Sequence, residues 1–263
     1  MSETGIVTRR DGALLFVGFD RPAKRNALTR AMLDALACAL DDVDGDPEVR
    51  AVVLYGEGPV FSAGVDFAML EGDVAGTERT PFRTTVGGMQ AVLNRIERLE
   101  KPVVAALHRY VPGLALEVAL ACDLRVAGRD CELGLPEVRL GLVPDVGGTT
   151  RLVRTVGYAR AKELIMTGRM IGAEQALAIG LVHEVVPTGE HVDAAARVAR
   201  EMAENAPLAV GLAKRLVDLG WDADKHSFLE MELLVQSVLK RTDDAREGAA
   251  AAAARRPPRF RGR

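Results

Sequence analysis

Strand-length apolar runs alternate with helical segments through roughly the first 130 residues, and this alternation constrains the fold more than any other feature. Ala13–Phe19 (ALLFVGF) is such a run, and Arg21-Pro22 breaks it. Thr29 stands where a helix cap is expected, followed by Met32, Leu33, Leu36, Leu40 and Val43 at helical spacing. Ala51–Gly56 (AVVLYG) and Pro102–Leu107 (PVVAAL) read as buried strands. A helix begins near Gly113, and Asp123–Ala127 (DLRVA) is a further strand. Elements in this order build an α/β fold with right-handed crossovers. The strands are short and several connecting segments open on glycine. A repeated spiral of ββα units is therefore expected.

From Ala159 the pattern turns helical. RAKELIMTG stops at Gly168, and Ala173–Ala178 stops before Gly180. His191–Asn205 is amphipathic and halts before Pro207, with Leu208–Asp218 and Lys225–Arg241 as further helices. Two regions are expected: 1–190 as the spiral core with the ligand site, and 191–263 as a helical region for oligomerisation and ligand cover. No linker separates them, so the second packs on the core or on another subunit. The basic tail Arg255–Arg263 (RRPPRFRGR) reads as a solvated, partly disordered end or as a cover for a polyanionic ligand.

Composition removes several function classes. With 34 basic and 37 acidic residues and a net charge of −3, the chain as a whole is no nucleic-acid surface. Cys38, Cys122 and Cys131 lack motif spacing, which argues against a disulfide framework and fits a reducing compartment. The first residues are too polar for a secretory signal. The longest apolar stretch is interrupted by Glu117 and too short for a bilayer, so a cytoplasmic chain without a membrane partner is expected. No Cys/His/Asp cluster has metal spacing, so no metal is expected. His108, His183, His191 and His226 are scattered and read as structural or exposed.

Three segments carry chemistry. In Leu114–Ala121 (LALEVALA), Glu117 has apolar neighbours on every side of a helix. A carboxylate there either faces a polar pocket, with its pKa raised by desolvation, or pairs with a cation such as Arg125. Gly113 precedes that helix, whose first N–H groups lack partners and favour negative charge. In Phe61–Leu70 (FSAGVDFAML), Ala63-Gly64-Val65 forms a small-residue bend that can bring N–H groups to a ligand. In Leu135–Leu152 (LPEVRLGLVPDVGGTTRL), Glu137 and Asp145 are positioned to converge on one cavity, or Asp145 caps the helix after Gly147-Gly148.

Taken together, these strings resemble the crotonase (enoyl-CoA hydratase/isomerase) superfamily over nearly the whole chain. RPAKRNALT (Arg21–Thr29) is similar to its coenzyme A-binding segment, FSAGVDF to its first oxyanion loop, and Lys101–Ala127 to its second oxyanion segment and central helix. Leu135–Leu152 is similar to its second catalytic segment, and Met166–Pro187 to the stretch that follows. The resemblance implies a crotonase-like α/β spiral with a helical C-terminal region, assembled as trimers or dimers of trimers. It implies an acyl-CoA substrate and no cofactor besides the coenzyme A that the substrate carries. Oxyanion donors would be the N–H groups of Val65 and Leu114. Glu117 and Glu137 would be catalytic, with Asp145 as a third acid. Substrate and coenzyme A contacts would come from Lys24, Arg25, Ala27, Ala63, Gly64, Val65, Asp66, Phe67, Gly113, Leu114, Pro136 and Val143. The paired glutamates favour a 2-enoyl-CoA hydratase. Asp145 stands where hydratases have glycine and opens a double-bond isomerase reading. Leu114 replaces a usual glycine and His108-Arg109 a usual Asn-Gly. Both leave open a non-catalytic acyl-CoA-binding protein.

Overall fold

The computed structural model describes residues 4–69 and 81–263. Leu70, which closes the FSAGVDFAML segment, and the first three residues of the chain lie outside the described residues. A six-stranded sheet runs in the order β1-β2-β3-β4-β6-β9. Its strands are β1 (Ile6–Asp11), β2 (Leu14–Phe19), β3 (Ala51–Gly56), β4 (Val103–Leu107), β6 (Leu124–Gly128) and β9 (Glu184–Val186). The first pair is antiparallel and all later neighbours are parallel. A second sheet holds β5 (Tyr110–Pro112), β7 (Glu132–Gly134) and β8 (Ile171–Gly172). β4 and β5 lead into helix α3 (Leu114–Ala121), and β6 and β7 lead towards α4 (Gly148–Val156). Although β1 and β2 both join the large sheet, these two turns each send one strand to the large sheet and one to the small sheet before the helix. This is the expected ββα arrangement.

β1 is absent from the sequence-based expectation. It is an edge strand in which only Ile6 is buried, so Thr8, Arg9, Arg10 and Asp11 leave no apolar signal. Helix α1 (Arg30–Gly45) begins where expected: the Thr29 side chain accepts a hydrogen bond from the Met32 N–H at 3.2 Å. Helix α2 (Phe82–Arg98) was not anticipated, although Val86, Met89, Val92, Leu93 and Ile96 give it a buried stripe.

Helices α5 (Tyr158–Thr167), α6 (Ala173–Ala178), α7 (His191–Ala203), α8 (Pro207–Gly220), α9 (Lys225–Leu239) and α10 (Asp243–Ala254) complete the chain. One core cluster fills the space between the large sheet and α1, α2 and α3. A second lies on the opposite sheet face, where Ala195, Ala196, Ala199 and Ala203 of α7 pack against Val53, Val104 and Val126. Small side chains let that helix approach the strands closely.

Two expectations need correction. The basic tail is solvent-exposed at Arg255–Arg259, Arg261 and Arg263, but it is held in place rather than partly disordered. Buried Asp244 accepts from the N–H groups of Arg261 and Gly262, both at 2.7 Å, and Glu247 pairs with Arg256 and accepts from the Arg259 N–H. Arg50 donates to the Phe260 carbonyl at 2.7 Å, fastening the tail to the core. The histidines are not all scattered either: the rings of His108 and His191 stack with centroids 4.4 Å apart. A linear sequence could not show this, because the two residues come from the ends of β4 and α7.

Candidate active site

The site lies where the small sheet hands the chain to α3. The bend at Ala63-Gly64-Val65 is zipped to the segment after the Pro22–Lys24 turn. Ala63 N–H donates to Arg25 O at 2.8 Å, Leu28 N–H to Gly64 O at 2.7 Å and Asp66 N–H to Leu28 O at 2.9 Å. Fully buried Asn26 locks that segment by donating to Glu57 O, Val60 O and Phe61 O, and its own carbonyl oxygen Oδ1 accepts from the Arg21 N–H. Gly64 has φ +88°, and a Cβ there would stand 2.8 Å from Pro112 O. The bend therefore presses on the end of β5, directly before α3. Val65 and Leu114 both line one cavity. Among the described residues neither of their N–H groups donates to a protein acceptor; for Leu114 this follows from its place at the first position of a helix.

Glu117 sits one turn into α3 and is 2% exposed. Its Oε1 accepts from Val146 N–H at 2.9 Å and Gly148 N–H at 2.8 Å. A Cβ on residue 148 would lie 2.8 Å from both Cγ and Oε1 of Glu117, so only glycine admits this approach. Burial pushes the Glu117 carboxyl up to about 8, and the charges of Glu137 and Asp145 add to the rise. Arg125 is not its partner. That guanidinium is bonded to the carbonyls of Leu181, Ala119 and Cys122.

Glu137 opens a 3-10 turn, Glu137–Leu140, after Pro136. Its Oε2 is buried and meets no partner among the described residues. Its Oε1 faces Gly113, where a Cβ would come within 2.8 Å. Burial raises this carboxyl to about 6, assisted by Asp145. Asp145 lines the same cavity but does not cap α4, because the cap position is Gly147 and carries no side-chain bond.

The cavity measures about 380 Å³. It brings together Val65, Leu114, Glu117, Glu137, Val143 and Asp145 from the sequence-derived set. Walls from Phe82, Val86 and Met89 of α2 and a lip from Leu140 and Leu142 were not foreseen. The stripe on α2 was the available signal; the N–H groups of Val146 and Gly148 had none beyond the Gly147-Gly148 pair.

Other expected contacts stand apart. Lys24 and Arg25 are exposed, and Arg25 lines a separate cavity of about 520 Å³ with Arg109. Arg109 has φ +57° and approaches Asp130 at 3.8 Å, so it does not enter the glutamate cavity. Phe67 is exposed, while Ala27 and Ala63 are half-buried. Asp66 pairs with Arg21, and this bond holds its carboxyl below the usual range. Leu114 is 5% exposed and forms a wall of the cavity.

A ββα spiral holding two buried carboxyls beside unpaired N–H groups defines a class, and comparison with known proteins identifies it. The sequence profile described as enoyl-CoA hydratase/isomerase matches residues 9–263. The chain belongs to this family. It is 35% identical over 264 residues to 2,3-dehydroadipyl-CoA hydratase of Escherichia coli K12, covering 100% of both chains. It is 36% identical to a short-chain-enoyl-CoA hydratase of Clostridium acetobutylicum, covering 88% of each. The crystal structure of an enoyl-CoA hydratase from Bacillus anthracis superposes with a TM-score of 0.92 at 34% identity, covering 98% of this chain and 100% of that one.

Proposed function

We propose that the protein adds water across the 2,3 double bond of an enoyl-CoA thioester. The observation that carries this reading is the pair Glu117 and Glu137 on one cavity, with carboxyls raised to about 8 and about 6. Between those values the pair holds one proton, so it offers one carboxylate to accept and one carboxyl to donate. The thioester oxygen would sit against the N–H groups of Val65 and Leu114, where charge develops as an enolate forms. The carboxylate takes a proton from water as its oxygen bonds to C3, and the carboxyl delivers a proton to C2. The pair ends with the one proton it began with. No group beyond the thioester and these residues enters the scheme.

The named relatives act on short-chain and on 2,3-dehydroadipyl thioesters, which supports the thioester class and leaves the acyl group open. Purified protein is expected to hydrate crotonyl-CoA or a longer 2-enoyl-CoA. Binding of acyl-CoA without turnover at any chain length would overturn the reading in favour of a binding protein. Asp145 on the same cavity supports a second activity, isomerisation of 3-enoyl- or dienoyl-CoA. It requires that Asp145→Asn lower isomerisation more than hydration.

Among the described residues no helix is long and apolar enough to cross a membrane. Cys38, Cys122 and Cys131 are free, which supports a reducing, cytoplasmic setting. The exposed apolar side chains of α8, α9 and the turn between them, among them Val217, Trp221, Leu233, Leu234 and Val238, support burial against further copies in a trimer or a dimer of trimers.

A further inference from the structure

We propose that Gln90 and Arg151 are positioning residues for Glu117: together they hold the turn Asp145–Gly148 so that two of its N–H groups meet one carboxyl oxygen. The inference rests on the hydratase reading for the role of Glu117, but the bonds stand without it. Three successive peptide planes form the turn. A peptide is flat, and its C=O and N–H point to opposite sides, so a partner on the oxygen fixes the direction of the N–H. In the first plane the Gln90 amide donates to Asp145 O at 2.6 Å, and on the other side Val146 N–H donates to Glu117 Oε1 at 2.9 Å. In the second plane Arg151 Nη1 donates to Val146 O at 3.0 Å. In the third the Arg151 backbone N–H donates to Gly147 O at 3.0 Å, and Gly148 N–H donates to Glu117 Oε1 at 2.8 Å.

The clamp is anchored on α2. Arg151 is buried, and its Nε and Nη2 bind the two oxygens of Glu97 at 2.7 and 2.9 Å. Nη2 also donates to Asn94 Oδ1 at 2.7 Å. Gln90, Asn94 and Glu97 follow at i, i+4 and i+7 and so share one face of that helix. Gly147 has φ +97°, and a Cβ there would collide with Arg151 Nη1. The adjacent glycines therefore serve different neighbours: Gly147 admits the guanidinium and Gly148 admits the Glu117 carboxyl. A guanidinium that only closed an ion pair with Glu97 would not need the first opening. The two N–H bonds favour the ionised carboxyl and oppose the burial that raises it to about 8. Loosening the turn weakens that opposition, so Glu117 then holds its proton more tightly.

Infrared difference spectroscopy across a pH series reads the Glu117 carboxyl directly, with Glu117→Gln identifying its band. Arg151→Met is made together with Glu97→Gln, so that no charge is stranded. This pair is expected to raise the proton affinity of Glu117 at least ~5-fold, and Gln90→Met about 2-fold. Glu97→Gln alone leaves an oxygen for Arg151 and should produce no rise. Gln90 is exposed, so Gln90→Met tests the clamp whether or not the core tolerates the paired exchange. An unmoved titration in either folded variant, or an equal rise with Glu97→Gln alone, overturns the inference. The alkaline limb of kcat/KM for a 2-enoyl-CoA is expected to move in the same order as the infrared titration. Shifted titrations in protein that turns over no enoyl-CoA leave the clamp standing and overturn the hydratase reading. Hydration by variants whose Glu117 titrates as in the native chain does the reverse.

Discussion

Helices α3 and α9 are both rich in apolar side chains, yet they meet opposite fates. All eight residues of α3 are buried within the chain. None of the fifteen residues of α9 is buried, and Leu233, Leu234 and Val238 are 63%, 68% and 61% exposed. Composition alone does not separate them. What differs is that α3 follows a strand into the spiral, where both sheets and α4 enclose it. α9 follows the last core helices and finds no remaining face to cover. An acid inside the first helix is forced into an unusual protonation state. An apolar side chain on the second awaits another surface.

The largest effects should come from removing what α3 and its surroundings place in the cavity. Glu137→Gln is expected to lower kcat by at least ~100-fold, read with crotonyl-CoA. Near-normal turnover would remove Glu137 from the scheme. Leu114→Pro deletes one N–H at the first helical position, where proline fits the backbone. It should also lower kcat ~100-fold, whereas Leu114→Ala keeps the N–H and most of the rate. Equal losses in both variants would point to the side chain instead. On α9, Leu234→Asp should weaken assembly by about 2 kcal/mol per buried site, seen as a smaller particle by sedimentation. An unchanged particle mass would mean that this face has no partner copy.

A further effect concerns pH. The Glu117 carboxyl is raised from 4.5 to about 8 because burial disfavours its charge. The folded chain therefore holds this proton more tightly than the unfolded chain. The resulting stability is complete below pH 4.5 and is lost as pH rises through 8. Glu117→Gln keeps an oxygen for the Val146 and Gly148 N–H groups but cannot ionise. It should gain stability over the native chain as pH rises from 5 to 9, measured by thermal unfolding. A constant difference across that range would mean that Glu117 is not buried as a charge.

Much of the spiral could be read from sequence because its central strands are buried on both faces and appear as unbroken apolar runs. The Thr29 cap and the acid within LALEVALA were equally visible, since each is a local contrast. The edge strand Ile6–Asp11 was not, because its exposed polar residues carry no period. Glu137 drew its role mainly from the family resemblance: its burial depends on a turn whose packing partners lie elsewhere in the chain. The hold of Val146 and Gly148 on Glu117 was also hidden. Backbone N–H groups have no letter in a sequence, and only the missing Cβ at Gly148 leaves a trace. The docking of the tail on Asp244 and Glu247 required knowing that α10 turns those acids towards it.

The close fit of Gly148 against Glu117 also bears on how such a chain can change over time. A lineage selected only for heat resistance would gain by exchanging Glu117 for an amide, because the carboxyl is the uncomfortable occupant of that pocket. An acid kept at this position would then mark continued selection for its chemistry. Drift to glutamine, with the glycine retained, would mark a descendant that has kept the shape of the pocket after giving up its reaction.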